Sequence, residues 1–481
     1  MSSFSRVVRN SSALMASNVL GKGLSFLSVL IAARYLGVKG YGLLVFALSF
    51  CSIFKVVIDL GFSPLIVKDV ARDRTITTTY VRKILYIKIF LVVVASVLLS
   101  ISMRFLGYSG NESVVIWMLF VFVVLQSFAN VGYCVLRAFE EIHLVAIGEV
   151  IMSISILAGF AISAYAGVDV ATFSMSYAVT GCIILVYSIV VVRGMLKTMK
   201  AALPPSTASF SSLMLIKSSL PFVLMAAFNM LLLYLDSVML GIFRTQGEVG
   251  IYGVAYRSAL VLLFIPLAVH GSLVPVISRL YGEGSDDLTD NVRRSFRYNL
   301  IVGVPLGVGG TLLAWRLIPP VFGPEYREAS LIFAILIWSL VFSFVRFPYL
   351  TMFEATDRQA LVARTFAYAV GLNIFLNLVL IPRYGMVGAA AATVITDMLI
   401  MVQMLWLGIK AGVCRLDSYF WACIWKVILS ASVMGGACLL ALNFGVIISV
   451  ATGFVVYLSI IWMVGALDME DKAFIRNALG I

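Results

Sequence analysis

The chain has 481 residues, of which 62% are apolar and only 12% charged, with a mean hydropathy of +1.06. A soluble domain is about half apolar and about a quarter charged, so this composition cannot build a water-soluble surface and describes an all-α polytopic membrane protein. The net charge of +12, from 35 Lys+Arg against 23 Asp+Glu, is accounted for by cation-rich cytoplasmic loops, and no nucleic-acid partner is expected.

About fourteen apolar stretches of spanning length, ~20 residues each, follow one another. The first, 12–33, imitates a secretory signal with Arg6 and Arg9 ahead of it. It is longer than a signal core and carries Lys22 at its centre, so it reads as a retained helix. Spans follow at 42–64, 84–103, 114–136, 144–166 and 171–192. A second set lies at 220–243, 249–271, 299–319, 329–353, 361–381 and 386–409, and two more at 427–444 and 446–467. With the N-terminus inside, the cytoplasmic segments hold about 23 of the Lys and Arg and the outer ones about seven, which places both termini in the cytoplasm. The expected location is the cell (inner or plasma) membrane.

The chain repeats itself. Leu36-Gly37 and Gly40-Tyr41-Gly42 recur as Leu240-Gly241 and Gly250-Ile251-Tyr252-Gly253. Pro64 aligns with Pro275, Phe139-Glu140 with Phe353-Glu354, and Gly167 with Gly385. The offsets cluster at about 210–220 residues and keep their order. An even number of spans separates the copies, so they form two parallel six-helix lobes, 1–200 and 201–412, around a central cleft. Residues 413–481 hold two extra helices and a cytoplasmic tail.

No phosphate-loop, zinc or nucleophile-elbow motif is present, so no enzymatic activity is expected. The six cysteines lack metal or redox spacing and read as small apolar packers. His143 and His270 are too few and too far apart for a metal site. No metal or cofactor is expected.

Ionisable residues inside spans are costly, by about 2.5–3.5 kcal/mol at a helix centre, and mark candidate functional positions. Lys22 lies about ten residues from either end of its span, too deep to snorkel easily, and Asn18 one turn earlier extends a polar stripe. Lys55 and Asp59, at i and i+4, either neutralise each other or line the cleft. Lys88 is close enough to the cytoplasmic end of its span to snorkel, and Arg346 is similarly placed. Glu149 is near an inner boundary, where water reaches it. Asp236 and Arg257, on adjacent spans, suit an ion pair or a transport role; Asp397 lies in the twelfth span. Asn229, Asn373, Asn377 and Gln403 add uncharged donors. In spans 1–3 cations equal or outnumber carboxylates, and a positive cleft suits an anionic cargo such as a phosphate or pyrophosphate head.

Several stretches resemble the polysaccharide-type flippases, a branch of the multidrug/oligosaccharidyl-lipid/polysaccharide superfamily. They are YLDSVMLGIFRTQGEVGIYGVAYR (234–257), NIFLNLVLIPRYGMVGAAAATVITD (373–397), AARYLGVKGYGLLVFALSF (32–50), DLGFSPLIVKDVAR (59–72) and FGPEYREA (322–329). The resemblance implies two six-helix bundles plus two helices. It also implies transfer of a lipid-linked oligosaccharide, typically a polyprenyl pyrophosphate, from the cytoplasmic to the outer leaflet by alternating access. By position, Lys22, Lys55, Arg257 and Arg346, with Asn18, are the candidates to meet the headgroup. Related lipid II flippases are a near alternative. Drug exporters of the same superfamily often have an acidic residue in span 1, where this chain has Lys22. Asp59, Asp236 and Asp397 are the candidates for coupling to Na⁺ or H⁺. The expected partners are the lipid-linked cargo, membrane lipids and such an ion, and the chain is expected to act as a monomer.

Overall fold

In lipid the backbone has only itself to bond, so long apolar runs become helices. The computed structural model describes residues 3–199, 211–263, 287–356 and 358–466, and the regular structure there is entirely helical. Among the described residues there are thirteen α-helices, beginning with α1 (Ser3–Asp59), α2 (Phe62–Arg72), α3 (Thr77–Phe105), α4 (Gly110–Ala138), α5 (Ile142–Tyr165) and α6 (Val170–Met199). Next come α7 (Ser212–Phe243), α8 (Gln246–Val261), α9 (Asp287–Phe322), α10 (Ala329–Ala355) and α11 (Gln359–Lys410). The last two are α12 (Ser418–Ala441) and α13 (Val446–Met463).

Among the described residues eleven helices are long and apolar enough to cross a membrane. Two of them, Leu20–Asp59 and Gln359–Lys410, contain 40 and 52 residues, far more than the ~20 that one crossing needs. Each carries two of the expected spans. The junctions are Gly37 (φ 64°) in α1 and Gly385 (φ 56°) in α11, where the chain enters backbone space that a side chain would resist. The expected span at 249–271 begins in α8, and its residues from 264 onward lie outside the described residues. Pro275 and His270 lie outside them too.

One expected span ends early. The 42–64 stretch stops as a helix at Asp59 because Leu60 (φ 38°) and Gly61 (φ 68°) turn the chain. The separate α2 then buries Phe62, Leu65, Ile66 and Val70, packed with Tyr80 and Ile84 of α3 and Val131 and Cys134 of α4.

The chain divides into two compact units. The first comprises residues 1–257 and 370–389, and the second residues 258–369 and 390–481. In the first, α1 packs on α4, α5 and α7, and α4 on α6 and α2. In the second, α9 packs on α10 and α12, and α12 on α13. Large apolar side chains remain on the outside, among them Phe105, Tyr165 and Phe454, as a lipid-facing surface requires. Five of the six cysteines are buried as expected, whereas Cys182 is exposed on α6.

Candidate functional site

The first unit encloses a cavity of about 180 Å³. Helix α1 contributes Ser25, Ser28 and Ser52, α4 contributes Gln126, α5 contributes Ser153, α7 contributes Tyr234, and α8 contributes Arg257. Tyr41 and Tyr177 complete the polar wall, and among the described residues no lining residue is a carboxylate. Serines at 25 and 28, three apart, share one face of α1. Ser28 turns its hydroxyl back onto Leu24 O at 2.9 Å and Ser52 onto Leu48 O at 2.6 Å, which leaves their lone pairs available.

Arg257 is the only charged residue of the lining among the described residues. It stands within electrostatic reach of Tyr41, Tyr177, Tyr234 and Tyr256. The Tyr41 ring is 2% exposed, and its buried hydroxyl lacks a hydrogen-bond partner among the described residues. An orphaned hydroxyl beside a guanidinium is a donor pair for an anion, since leaving such a group unsatisfied carries a desolvation penalty. Lys55 reaches the same wall indirectly, donating to Oε1 of Gln126 at 2.9 Å.

Other sequence candidates are distributed differently. Lys22 is exposed on α1 and is not part of the lining; it interacts electrostatically with Glu149 of α5. Glu149 also lies 3.9 Å from Arg137. The Asn18 side chain lies outside the described residues. Lys88 does not snorkel: it is 2% exposed and sits 2.7 Å from the Asp59 carboxylate. It also donates to Ser127 O at 2.7 Å, while the Ser127 hydroxyl donates to Asp59. Asp59 therefore has Lys88 as its ion-pair partner, and the i,i+4 pairing with Lys55 is not the one that closes.

In the second unit Arg346 and Asp397 form an ion pair, and Ser339 donates to the same carboxylate. Of the two roles open to Asp236 and Arg257, an ion pair or transport, the first is not seen between them among the described residues. Asp236, 4% exposed, accepts from Tyr252 Oη at 3.0 Å and from Asn377 Nδ2 at 2.6 Å. Asn377 Nδ2 also donates to Asn373 Oδ1 at 3.0 Å, and Asn377 Oδ1 is buried without a donor. Sequence reasoning missed the tyrosines and Gln126 around Arg257. The Ser25–Ser28 spacing was a readable signal, but the tyrosines come from helices far apart in the chain.

Long helices doubled back at glycines, lipid-facing apolar flanks and a polar cavity inside the first unit define a multi-pass membrane transporter. The sequence pattern of the family described as polysaccharide biosynthesis protein matches residues 7–281, and the chain belongs to that family, the flippase branch of the multidrug/oligosaccharidyl-lipid/polysaccharide superfamily. A second pattern, MatE, matches residues 221–379. The chain is 24% identical over 394 residues to the probable low-salt glycan biosynthesis flippase Agl15 of Haloferax volcanii, a match covering 81% of each. It is 31% identical over 170 residues to the probable flippase AglR of the same organism, across 34% of this chain and 35% of that one. Its fold is similar to that of the lipid II flippase MurJ in an inward closed conformation, with a TM-score of 0.74 at 17% identity, covering 95% of this chain and 99% of that one.

Proposed function

We propose that the protein moves a lipid-linked oligosaccharide of the polyprenyl pyrophosphate type from the cytoplasmic to the outer leaflet by alternating access of lobes 1–200 and 201–412. Both termini are then cytoplasmic and the chain acts as a monomer. The observation that carries this reading is the cavity wall, in which Arg257 and the unpartnered Tyr41 hydroxyl stand with no carboxylate among the described lining residues. Such a wall offsets the desolvation of a phosphorylated headgroup and repels nothing anionic. The two Haloferax volcanii relatives carry flippase names, which supports a glycan-lipid cargo. Lys55, through Gln126, adds positive potential to the wall.

Of the three carboxylates considered for ion coupling, Asp59 and Asp397 are each neutralised by a cation. Asp236 accepts from Tyr252 and Asn377, and its place in ion coupling is tested by the Na⁺ and H⁺ dependence of transport by Asp236→Asn.

The test uses reconstituted protein and a fluorescent lipid-linked sugar. Arg257→Ala and Tyr41→Phe should each slow flipping by about tenfold or more, the worth of a charge-assisted hydrogen bond, in variants that remain folded. Normal flipping by both, with Lys55→Ala also normal, overturns the anion-cavity reading. The match to the MatE pattern favours a second reading, an ion-coupled exporter. Drug resistance conferred on a pump-deficient host with no flipping would establish it.

A further inference from the structure

The second unit has its own open cavity of about 550 Å³, formed where the two ends of α11 come together beside the end of α10. Its wall carries three cations, Arg358, Arg364 and Lys410, with Tyr368, Trp406 and Gln403. Among the described residues no lining residue is a carboxylate, and none of the three cations makes an ion pair. Lys410 instead lies over the Trp406 ring, 3.7 Å from its centroid. Oε1 of Gln403 is buried without a donor. Arg358 occupies the N-cap of α11, and no side chain caps that terminus, so the first backbone N–H groups of a long helix add their partial positive charge.

We infer that this cavity binds the phosphate of a membrane lipid. Two guanidinium groups and an ammonium grip a phosphate as no uncharged wall could, and uncapped helix N–H groups strengthen the field. The orphaned Gln403 oxygen accepts from a headgroup hydroxyl such as that of a phosphatidylglycerol. The setting selects a lipid over a soluble anion. Arg358 and Lys410 mark the ends of membrane-spanning stretches, and Tyr368 and Trp406 are 66% and 52% exposed, the placement of aromatic residues at a membrane–water boundary. Leu361 and Leu407 line the same opening, and Val402 and Ile409 lie exposed beside it, giving acyl chains an apolar flank. Basic pockets between spanning helices hold anionic headgroups in this way. The site lies in the second unit, uses none of the side chains around Arg257, and does not rest on the cargo reading.

The experiment is native mass spectrometry of the full chain in a neutral detergent, with phosphatidylglycerol, a polyprenyl monophosphate and inorganic phosphate as probes. The wild type should retain one phosphatidylglycerol that the R358Q/R364Q/K410Q variant loses, with affinity lower by about tenfold or more. The R358K/R364K variant, which keeps the charges, should retain it to within about threefold. Retention of polyprenyl monophosphate in its place supports the inference and identifies the carrier lipid as the occupant. Equal lipid retention by wild type and the folded triple variant overturns it. So does full displacement of lipid by inorganic phosphate at about 10 mM, which would mark a site for the free anion. All three side chains are exposed, so folding should survive. If the triple variant fails to fold, the three single variants give the same comparison.

Discussion

Gly42 of α1 and Gly250 of α8 meet backbone against backbone. A Cβ on Gly42 would lie 1.7 Å from the Gln246 carbonyl oxygen, and one on Gly250 would lie 2.1 Å from the Val38 carbonyl oxygen. The two glycines belong to the two copies of the internal repeat, so the repeated motif is also a contact between its own copies. Neither obstacle is a flexible side-chain end, so relief requires the helices themselves to separate.

Gly42→Ala and Gly250→Ala should therefore each destabilise the protein by about 3 kcal/mol, the upper part of the usual range for overpacking. Gly436→Ala, where an added Cβ meets nothing within 4 Å, is the matched control. Thermal unfolding in detergent should show a clear drop for the first two and none for the third.

Lys88 and Asp59 form a buried pair whose members come from α3 and α1. Removing one partner strands a charge, which costs about 3–5 kcal/mol, whereas replacing both with apolar residues of similar size can be close to neutral. Lys88→Met and Asp59→Leu should each lower stability sharply, and the double variant should regain most of the loss. Additive losses in a double-mutant cycle would show that the pair is not coupled.

The spans were legible because hydropathy is a local property, and Gly37 and Gly385 were visible as members of the repeat. The break at Leu60–Gly61 was not, because the apolar run continues through it and only the backbone turn separates α2 from α1. Buried charge could be recognised from sequence, but its partner could not. Asp59 has a lysine four residues away on its own helix, yet it binds one 29 residues away. Likewise Arg257 stood out as a charge in a span, while Tyr41 and Tyr177 reach it only through packing of α1, α6 and α8.

Asp73 lies outside the spanning helices and caps the turn that leads into α3. Its carboxylate accepts the Thr75 N–H at 2.9 Å and the Thr75 hydroxyl at 2.6 Å, and these bonds hold its pKa below the usual carboxylate value. A carboxyl depressed in the folded state stabilises fully above its unfolded pKa, near ~4, and loses that contribution as pH falls through the folded value. The unfolding temperature of the wild type should thus fall more steeply below about pH 4 than that of Asp73→Ala. Parallel curves would show that the cap carries no pH-linked stability.

Arg346 ranked among the cargo-binding candidates by position, but its guanidinium is committed to Asp397, with Ser339 on the same carboxylate. Both side chains are largely buried, 15% and 16% exposed, so the pair should act on packing of α10 against α11 rather than on the headgroup. Arg346→Met alone leaves Asp397 buried and uncompensated and should lower stability by about 3 kcal/mol, with flipping reduced in proportion to folded protein. Arg346→Met with Asp397→Leu should recover both stability and flipping. Arg257→Ala should show the opposite pattern, a flipping defect with little change in unfolding temperature. If the Arg346/Asp397 double variant is as stable as wild type yet still fails to flip, the pair takes part in transport and its assignment to packing is wrong.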